Sequence, residues 1–371
     1  MSKEPRQLSP FELKLNNWVS DHLTRVKVMD KIFFLDHLRT MIHAGLSLVE
    51  ALSVLSKEIE NKRLKKVVDS VKTEVEKGKQ LSEVLTLYPK IFPPMYVKMI
   101  AAGEIAGKLE EALEQIVTQM KKNYELTSSI KGAMIYPAVV ISAISIVGLI
   151  MVTVVLPKIT ALFDTFEAAL PLPTRILIAI TDFMSNPVNL VLLVVLLSGG
   201  IVAYISALKK SPKFRDLIHA LNLKLPIVSP VIKQINLARF SLTLSSLLKS
   251  TLPIVDAIDI TADTCTNLKY KNALHNATEQ IKKGIPLSEI LSIHTNLFPP
   301  MVTEMIMVGE KTGEVDRLLE ELSEFYTHEV DKTIKNFSTI IEPAIIVLLG
   351  LAVAGIAVAV IQPMYSLMDN F

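Results

Sequence analysis

Residues 92–107 read FPPMYVKMIAAGEIAG, and residues 298–313 read FPPMVTEMIMVGEKTG. Both stretches carry Phe-Pro-Pro-Met followed, at the same spacing, by Gly-Glu-x-x-Gly. The second stretch lies 206 positions after the first, and the same offset relates residues on both sides of it without a gap. Self-similarity at a fixed offset is the mark of a duplicated structural unit. The chain is therefore predicted to contain two copies of one fold.

The offset extends the duplication far beyond these two stretches. It pairs Phe34 with Phe240, Lys77-Gly78 with Lys283-Gly284, Leu81-Ser82-Glu83 with Leu287-Ser288-Glu289, Pro137-Ala138 with Pro343-Ala344, and Pro157 with Pro363. The repeat motifs singled out on this basis are Gly78, Pro93, Pro94, Gly103, Glu104, Gly107 and Pro137 in the first copy and Gly284, Pro299, Pro300, Gly309, Glu310, Gly313 and Pro343 in the second.

Each copy is predicted to be helical. Apolar residues recur every three or four positions from Phe34 to Ile42, which is the period of a helix face. Gly45 suits the end of that helix, and Ser47 with Glu50 forms a capping box for the next one. Pro93-Pro94 suits a first helical turn, where a missing N–H costs nothing. No strand-like alternation persists, so the fold class is all-α, with two homologous cytoplasmic six-helix bundles and three transmembrane helices.

Three uncharged, mostly apolar runs occupy residues 133–157, 183–208 and 343–368. About 20 such residues cross the roughly 30 Å of a bilayer's hydrocarbon. Ten Lys and Arg residues flank the predicted spans on one side and two on the other, which by the positive-inside rule places the N-terminus and both bundles in the cytoplasm. Pro137 and Pro343 lie at span entrances and suit either a helix start or a kink.

These patterns divide the chain into eight predicted segments. The N-terminal 1–30 contains Phe11, Trp18 and Leu23 and suggests one amphipathic helix, which docks on the first bundle or on a partner. The others are the first bundle 31–132, a first span 133–157, an external loop 158–182, a second span 183–208, the second bundle 209–342, a third span 343–363 and an external tail 364–371.

Composition excludes several chemistries. The net charge is only +2, which gives no global field for nucleic acid. The single cysteine, Cys265, excludes an internal disulfide and a four-thiolate zinc site. Gly103–Lys108 is one residue shorter than a phosphate-binding loop and is followed by Leu109 instead of a hydroxyl. The glycines are better explained by a helix–turn–helix joint, in which Glu104 and Glu310 cap a helix or pair with a lysine. We therefore expect no catalytic residue, no cofactor and no metal.

The duplicated bundle-plus-span unit, Phe-Pro-Pro-Met before Gly-Glu-x-x-Gly, and Leu-Ser-Glu after Lys-Gly together resemble the inner-membrane platform family of type II secretion systems and type IV pili, the F-protein/PilC family. The resemblance covers about residues 30 to 366. One departure is that the family usually has glycine after the first helix of each repeat, whereas this chain has Gly45 in the first copy and Thr251 in the second.

The resemblance implies a non-enzymatic platform of the bacterial inner membrane. Its partners would be a cytoplasmic assembly or secretion ATPase, pilin or pseudopilin subunits, other inner-membrane assembly proteins and membrane lipid, with no direct contact to nucleic acid. The family also implies a homo-oligomer of undetermined size. We predict charged surfaces as the place where the motor docks, and the candidates are the acidic stretch 314–329 and the basic stretch 57–66.

Two functions of other classes stay open at this point. A subunit of a membrane transporter would require a partner that supplies further spans. A membrane-anchored enzyme would require a convergent polar site, which the sequence does not indicate. A neighbouring gene for a secretion ATPase or a prepilin would favour the platform, and one for a nucleotide-binding transport cassette would favour the transporter.

Overall fold

The computed structural model describes residues 25–155, 157, 172–226, 228–250 and 252–368. All secondary structure within these ranges is helical. The helices of the first repeat are α1 Val28–His43, α2 Leu48–Glu58, α3 Lys62–Glu76, α4 Leu81–Leu85, α5 Pro94–Ala106 and α6 Leu109–Ile150, which a π-helical turn, Met151–Val155, follows. The connecting segment contains α7 Leu172–Ser185, α8 Pro187–Lys210 and α9 Pro212–Asn222. The second repeat contains α10 Val228–Lys249, α11 Ile254–Thr264, α12 Leu268–Ile281, α13 Leu287–Ser292, α14 Pro300–Thr312 and α15 Val315–Met368.

The helix order confirms the duplication. At the offset of 206 positions, α11 begins and ends where α2 does, α14 where α5 does, and α15 begins where α6 does. The caps repeat as well: the side chain of Asn61 accepts from backbone N–H groups at the start of α3, and that of Asn267 does so at the start of α12. The same local sequence therefore stops and starts the helices in both copies.

The helix ends follow the chemistry expected from the sequence. The Ser47 hydroxyl accepts from the Glu50 N–H at 3.3 Å, and the Glu50 carboxylate accepts from the Ser47 N–H at 3.0 Å, which completes the capping box. Gly45 follows α1 with φ of 88°, and Pro94 occupies the first turn of α5. Thr251, the residue equivalent to Gly45, lies outside the described residues.

The core of each repeat is built around an aromatic pair at equivalent positions. The rings of Phe34 and Phe92 lie 5.9 Å apart in the first repeat, and those of Phe240 and Phe298 lie 5.4 Å apart in the second. All four side chains are buried. These contacts hold the first helix of each repeat against the loop that precedes its fifth helix.

The chain divides into two compact units. One unit comprises the residues up to Thr127 together with Ile232–Thr327, so it holds most of both helical repeats. The other comprises Ser128–Val231 and the residues from His328. Two helices in the described ranges are long and apolar enough to cross a membrane: α6 with its π-helical extension, Leu109–Val155, and α8, Pro187–Lys210. A shorter apolar stretch, Ile345–Gly355, lies in α15.

Two helices continue through positions at which the sequence changes from charged to apolar. The predicted junction at residues 132–133 is not a helix boundary, because α6 continues through it, and Pro137 lies inside that helix and does not start one. Pro343 likewise lies inside α15. Uncharged composition marks where apolar surface begins, but a helix ends only where its backbone hydrogen bonding ends.

The connecting segment also differs from its prediction. Helix α7 occupies residues 172–185 of what was expected to be an external loop followed by the start of a span. Helix α8, a candidate membrane-crossing helix, begins only at Pro187, after Asn186 caps its N-terminus. The predicted amphipathic helix of the N-terminal segment falls mainly on residues 1–24, outside the described residues, and α1 begins at Val28, inside the predicted segment 1–30.

Gly78 and Gly284 provide a direct test of the duplicated turns. Their φ angles are 91° and 85°, and a Cβ on either residue would meet no atom within 4 Å. Replacing Gly78 with Val should therefore lower the free energy of unfolding by roughly 1 kcal/mol or more through backbone strain alone. The loss is measurable as a lower melting temperature of the full-length protein in detergent, and Gly284→Val should behave alike. Gly78→Asn is the matched control, since Asn tolerates this conformation. Equal melting temperatures for Gly78→Val and the wild type would contradict the backbone argument.

Candidate functional site

The conserved spacing of Gly-Glu-x-x-Gly in the two copies builds a structural joint in each repeat. The Glu104 carboxylate accepts hydrogen bonds from the backbone N–H groups of Leu81, at 2.6 Å, and Ser82, at 2.9 Å. These are unsatisfied donors at the N-terminus of the short helix α4, where a negative charge is also favoured by the helix dipole. Of the two roles open from the sequence, a helix cap or a lysine pair, the structure shows the cap.

Glu310 makes the same contacts in the second repeat. Its carboxylate accepts from the N–H of Leu287 at 2.6 Å and of Ser288 at 3.3 Å, and from the Ser288 hydroxyl. The Leu-Ser-Glu and Gly-Glu motifs are thus two halves of one interaction, more than twenty positions apart in the chain. The sequence places both motifs but does not reveal that they bind each other.

The two glycines of the motif have different tasks. A Cβ on Gly103 would lie 2.5 Å from the Ala112 Cβ, and one on Gly309 would lie 2.8 Å from the Val315 Cα. The first glycine is therefore required for close contact between the fifth and sixth helices. Gly107 and Gly313 adopt φ of 68° and 78° directly after the fifth helix and allow the reversal. Within each bundle, the two glycines thus allow the first turn of the sixth helix to pack closely against the fifth.

The Phe-Pro-Pro-Met motif packs the loop before the fifth helix into the core. The buried Phe298 ring contacts Tyr270 at a centroid distance of 5.3 Å, and the Tyr270 hydroxyl donates to the Leu297 carbonyl at 2.7 Å. Pro299 precedes α14, and Pro300 lies in its first turn. The motif is therefore explained by packing and helix initiation.

The remaining candidates for chemistry have structural roles in the described part of the chain. Lys108, at the position that suggested a phosphate loop, pairs with Glu111 at 2.9 Å. Burial raises the pKa of the Cys265 thiol to about 12, which keeps it protonated and unreactive near neutral pH. Among the described residues, no group of His, Cys, Asp and Glu could hold a metal ion.

A cluster of ion pairs joins the two repeats within the unit that contains both. Lys122 lies 3.1 Å from Glu320 and 3.3 Å from Glu324, and Lys249 also contacts Glu320. The hydrogen bond from Lys249 lowers the pKa of Glu320 most, partial burial raises it, and the bond from Lys122 lowers it again, so the net pKa is below the ordinary value. The glutamate is therefore charged at neutral pH and can bind both lysines.

Sequence reasoning did not find this cluster, although a signal was available. Lys122 has His328 at its offset position, and Lys249 has His43, so neither lysine belongs to the repeated pattern. Positions where the two copies differ in charge are where a contact between the copies would be expected. The cluster also includes Glu320 from the acidic stretch proposed for motor docking, so part of that stretch already binds within the chain.

The two docking candidates have different surroundings. Arg317 pairs with Glu314 and Glu321, each at 2.7 Å, so one positive charge offsets part of the negative charge of the acidic stretch. The basic stretch 57–66 extends from the end of α2 into the first turn of α3. Its residues Arg63 and Lys66 border a groove of about 410 Å³. The groove is lined by basic and apolar side chains, namely Arg63, Lys66, Val67, Leu87, Tyr88, Pro89, Lys90 and Ile91.

Removal of the glutamate cap should destabilise each repeat. Glu104→Ala leaves two partly buried N–H groups without their acceptor, which costs about 1–3 kcal/mol. The melting temperature of the full-length protein should fall by several degrees. Glu104→Gln keeps one acceptor oxygen and should lose less, and Glu310→Ala should match Glu104→Ala. Glu83→Ala, an exposed change in the same short helix, is the control and should cost under about 0.5 kcal/mol. A melting temperature for Glu104→Ala equal to that of the control would contradict this role.

Comparison with known proteins agrees with this architecture. Residues 34–157 and 240–363 each match the family model described as type II secretion system protein F. The chain is 34% identical to the type IV pilus assembly protein PilC of Thermus thermophilus over 92% of this chain and 83% of that protein. It is 32% identical to PilC of Pseudomonas aeruginosa, over 92% and 91%, and 31% identical to a type II secretion system protein F of Aeromonas hydrophila, over 89% and 84%.

The two matched segments are separated by the same offset of 206 positions that relates the repeats. Each segment runs from the first helix of a repeat, through the glutamate-capped joint, to the end of the apolar stretch that follows. The chain therefore belongs to the type II secretion system protein F family, which comprises structural, non-enzymatic platform components of type II secretion and type IV pilus machines.

Proposed function

We propose that this protein is an inner-membrane platform that couples a cytoplasmic ATPase to the insertion of pilin-like subunits into a growing filament. Family membership supports a role in a type IV pilus or type II secretion machine. The proposed partners are the ATPase, pilin or pseudopilin subunits, other inner-membrane assembly proteins and the surrounding lipid. Nothing in this role requires the platform itself to break a covalent bond.

The observation that carries the proposal is the continuity of two helices. Helix α6 runs from Leu109 in the first bundle to Ile150 in an apolar stretch, and α15 runs from Val315 to Met368 in the same manner. Each helix continues past an internal proline, Pro137 in α6 and Pro343 in α15, so one helical backbone links the bundle to the apolar stretch although each proline removes a hydrogen bond. We infer that force received by the bundles passes along these helices to subunits in the membrane.

The proposed arrangement has three spans, a cytoplasmic N-terminus and an external C-terminus. Two candidate membrane-crossing helices in the described ranges support the first two spans, and the apolar stretch of α15 supports the third. The excess of Lys and Arg beside the bundles supports their cytoplasmic location. Residues 31–132 and 209–342 would then be the parts of the chain that a cytoplasmic motor can reach.

The groove beside the basic stretch is the preferred docking site for the motor. It combines exposed positive charge with an exposed apolar side chain, Leu87, which is 68% accessible. Complementary charge would steer an acidic surface of the motor, and the apolar residue would supply contact area. The acidic stretch is the weaker of the two candidates, since Arg317 and the lysines of the ion-pair cluster neutralise much of its charge.

The arrangement in the membrane predicts a fixed pattern of reporter activity. Reporter fusions after Lys158 and after Phe371 should read as external, and a fusion after Lys210 should read as cytoplasmic. The physical reason is the ten-to-two bias of basic residues at the span ends. Each fusion is made with two reporters, one that is active only on the external side of the membrane and one that is active only in the cytoplasm, and each serves as the control for the other. A cytoplasmic signal at Phe371 would overturn the three-span arrangement.

Charge reversal should separate motor docking from folding. Lys62→Glu combined with Lys65→Glu places negative charge on two exposed positions beside the groove. We expect recovery of the co-purified ATPase to fall about tenfold or more, and filament assembly to fall with it, at unchanged protein level. The control reverses Lys98 and Lys283, two exposed lysines outside the lining of the groove.

Two outcomes would contradict the proposal. Equal ATPase recovery from the Lys62/Lys65 variant, its control and the wild type would exclude this groove as the docking site. Nucleotide turnover by the purified protein alone would be incompatible with a platform that lacks its own motor.

A further inference from the structure

The two repeats contact each other through different faces. The first repeat contributes α5 and α6, which carry Met95, Gln119 and Lys122. The second contributes α10 and the start of α15, with Arg239 and Glu320. Because the two contributed faces are not equivalent, the contact is heterologous. A heterologous contact between two like units leaves one face of each kind unused.

Burial shows that the unused faces are open. In α10, Leu242 and Thr243 are buried, whereas the equivalent residues of α1, Asp36 and His37, are half-buried and exposed. Phe33, the equivalent of Arg239, is 42% accessible. We call Met29, Phe33, His37 and Thr40 the α1 face. It is the surface by which the first repeat would bind another unit.

The second repeat leaves the opposite surface open. Phe325, the equivalent of the buried Gln119, is 43% accessible, and Met301, the equivalent of Met95, is 40% accessible. Val308, on the same helix as Met301, is 48% accessible. We call Met301, Val308, Phe325 and His328 the α14–α15 face. Large apolar side chains grouped on an exposed surface mark an interaction site.

The residues at the centre of the contact within the chain can be compared with those at the equivalent positions of the exposed faces. In the contact within the chain, Gln119 and Arg239 line one cavity of about 50 Å³, and each holds a buried polar atom without a partner, Oε1 and Nε. At the offset positions both partners are aromatic: Phe325 replaces Gln119, and Phe33 replaces Arg239. The polar pair Gln119–Arg239 of the contact within the chain is therefore replaced by the apolar pair Phe325–Phe33 on the two exposed faces.

We propose that the α1 face of one copy of this protein binds the α14–α15 face of a second copy, by repeating between chains the contact that joins the two repeats within a chain. Phe33 and Phe325 are the central pair of this contact. The aromatic pair suits a contact between separate molecules, where burial of apolar area must also offset the entropy of association.

The contact predicts cross-links of one kind only. Two full-length chains with different affinity tags, both with Cys265→Ser, are expressed together. One chain carries Phe33→Cys and the other carries Phe325→Cys, and the membranes are oxidised mildly. A disulfide-linked dimer that carries both tags is expected. A chain with Phe33→Cys expressed with itself should give no dimer, and neither should Phe325→Cys with itself, because the contact is head to tail.

The matched control uses an equivalent apolar pair away from both faces. Leu87 and Ile293 lie at the offset of 206 positions and are 68% and 71% accessible. Thiols at these two positions should give less than about a tenth of the cross-link yield of the 33–325 pair. A dimer between two Phe33→Cys chains, or a 33–325 yield no higher than that of the control pair, would overturn the proposal.

Charge substitutions provide the second measurement. Phe33→Asp or Phe325→Asp should raise the dissociation constant of the detergent-solubilised oligomer at least about tenfold, as expected for a central aromatic residue. A Phe33→Asp chain mixed with a Phe325→Asp chain should recover binding, since one intact pair remains between them. Failure of this mixture to associate, with both chains correctly folded by melting temperature, would also overturn the proposal. Ile293→Asp, which lies outside both faces and outside the groove proposed for the motor, is the control that leaves the oligomer unchanged.

Discussion

The hydrogen bonds from the Leu81 and Leu287 N–H groups to the Glu104 and Glu310 carboxylates are the constraint on which each repeat depends. A helix of five or six residues cannot persist alone, because nucleation is too costly. The carboxylate fixes its first turn and joins it to the fifth helix. The glycine beside each glutamate then lets the sixth helix pack against the fifth. One short segment therefore fixes how α6 and α15 begin within the bundles.

Duplication of this unit explains how a platform can be built without a catalytic centre. Each copy has the same order of caps, aromatic core pair and joint, so each is a complete bundle. The copies differ where they meet: Lys122 and Lys249 have histidines at their offset positions, and both lysines bind Glu320. Divergence at these positions fixes one way of pairing the repeats. Because the repeats pair in only this way, Phe33 and Phe325 stay exposed. The proposed contact between copies then uses the faces that the contact within the chain leaves free.

The absence of a role in chemistry for the motif residues is consistent with the family. Gly103 and Gly107 resemble part of a phosphate loop only in sequence, since the first contacts a neighbouring helix and the second reverses the chain. Cys265 is a buried packing residue with a raised pKa. These side chains hold helices in place, which agrees with a family of structural, non-enzymatic components.

The sequence by itself determined the duplication, the helical class and the turn chemistry. The fixed offset is visible in one sequence. Capping residues and glycines with positive φ reflect local backbone preferences, which the identity of a few neighbouring residues is enough to predict. It also located the apolar stretches, but it left open whether Pro137 and Pro343 start a helix or kink one, and it did not indicate α7. Charged residues give way to apolar ones near both prolines, whereas the helices α6 and α15 continue through them. The tertiary structure alone decided which motifs bind each other, that Lys122 joins the repeats and which faces stay open, because those contacts connect residues that are distant in the chain and follow from packing.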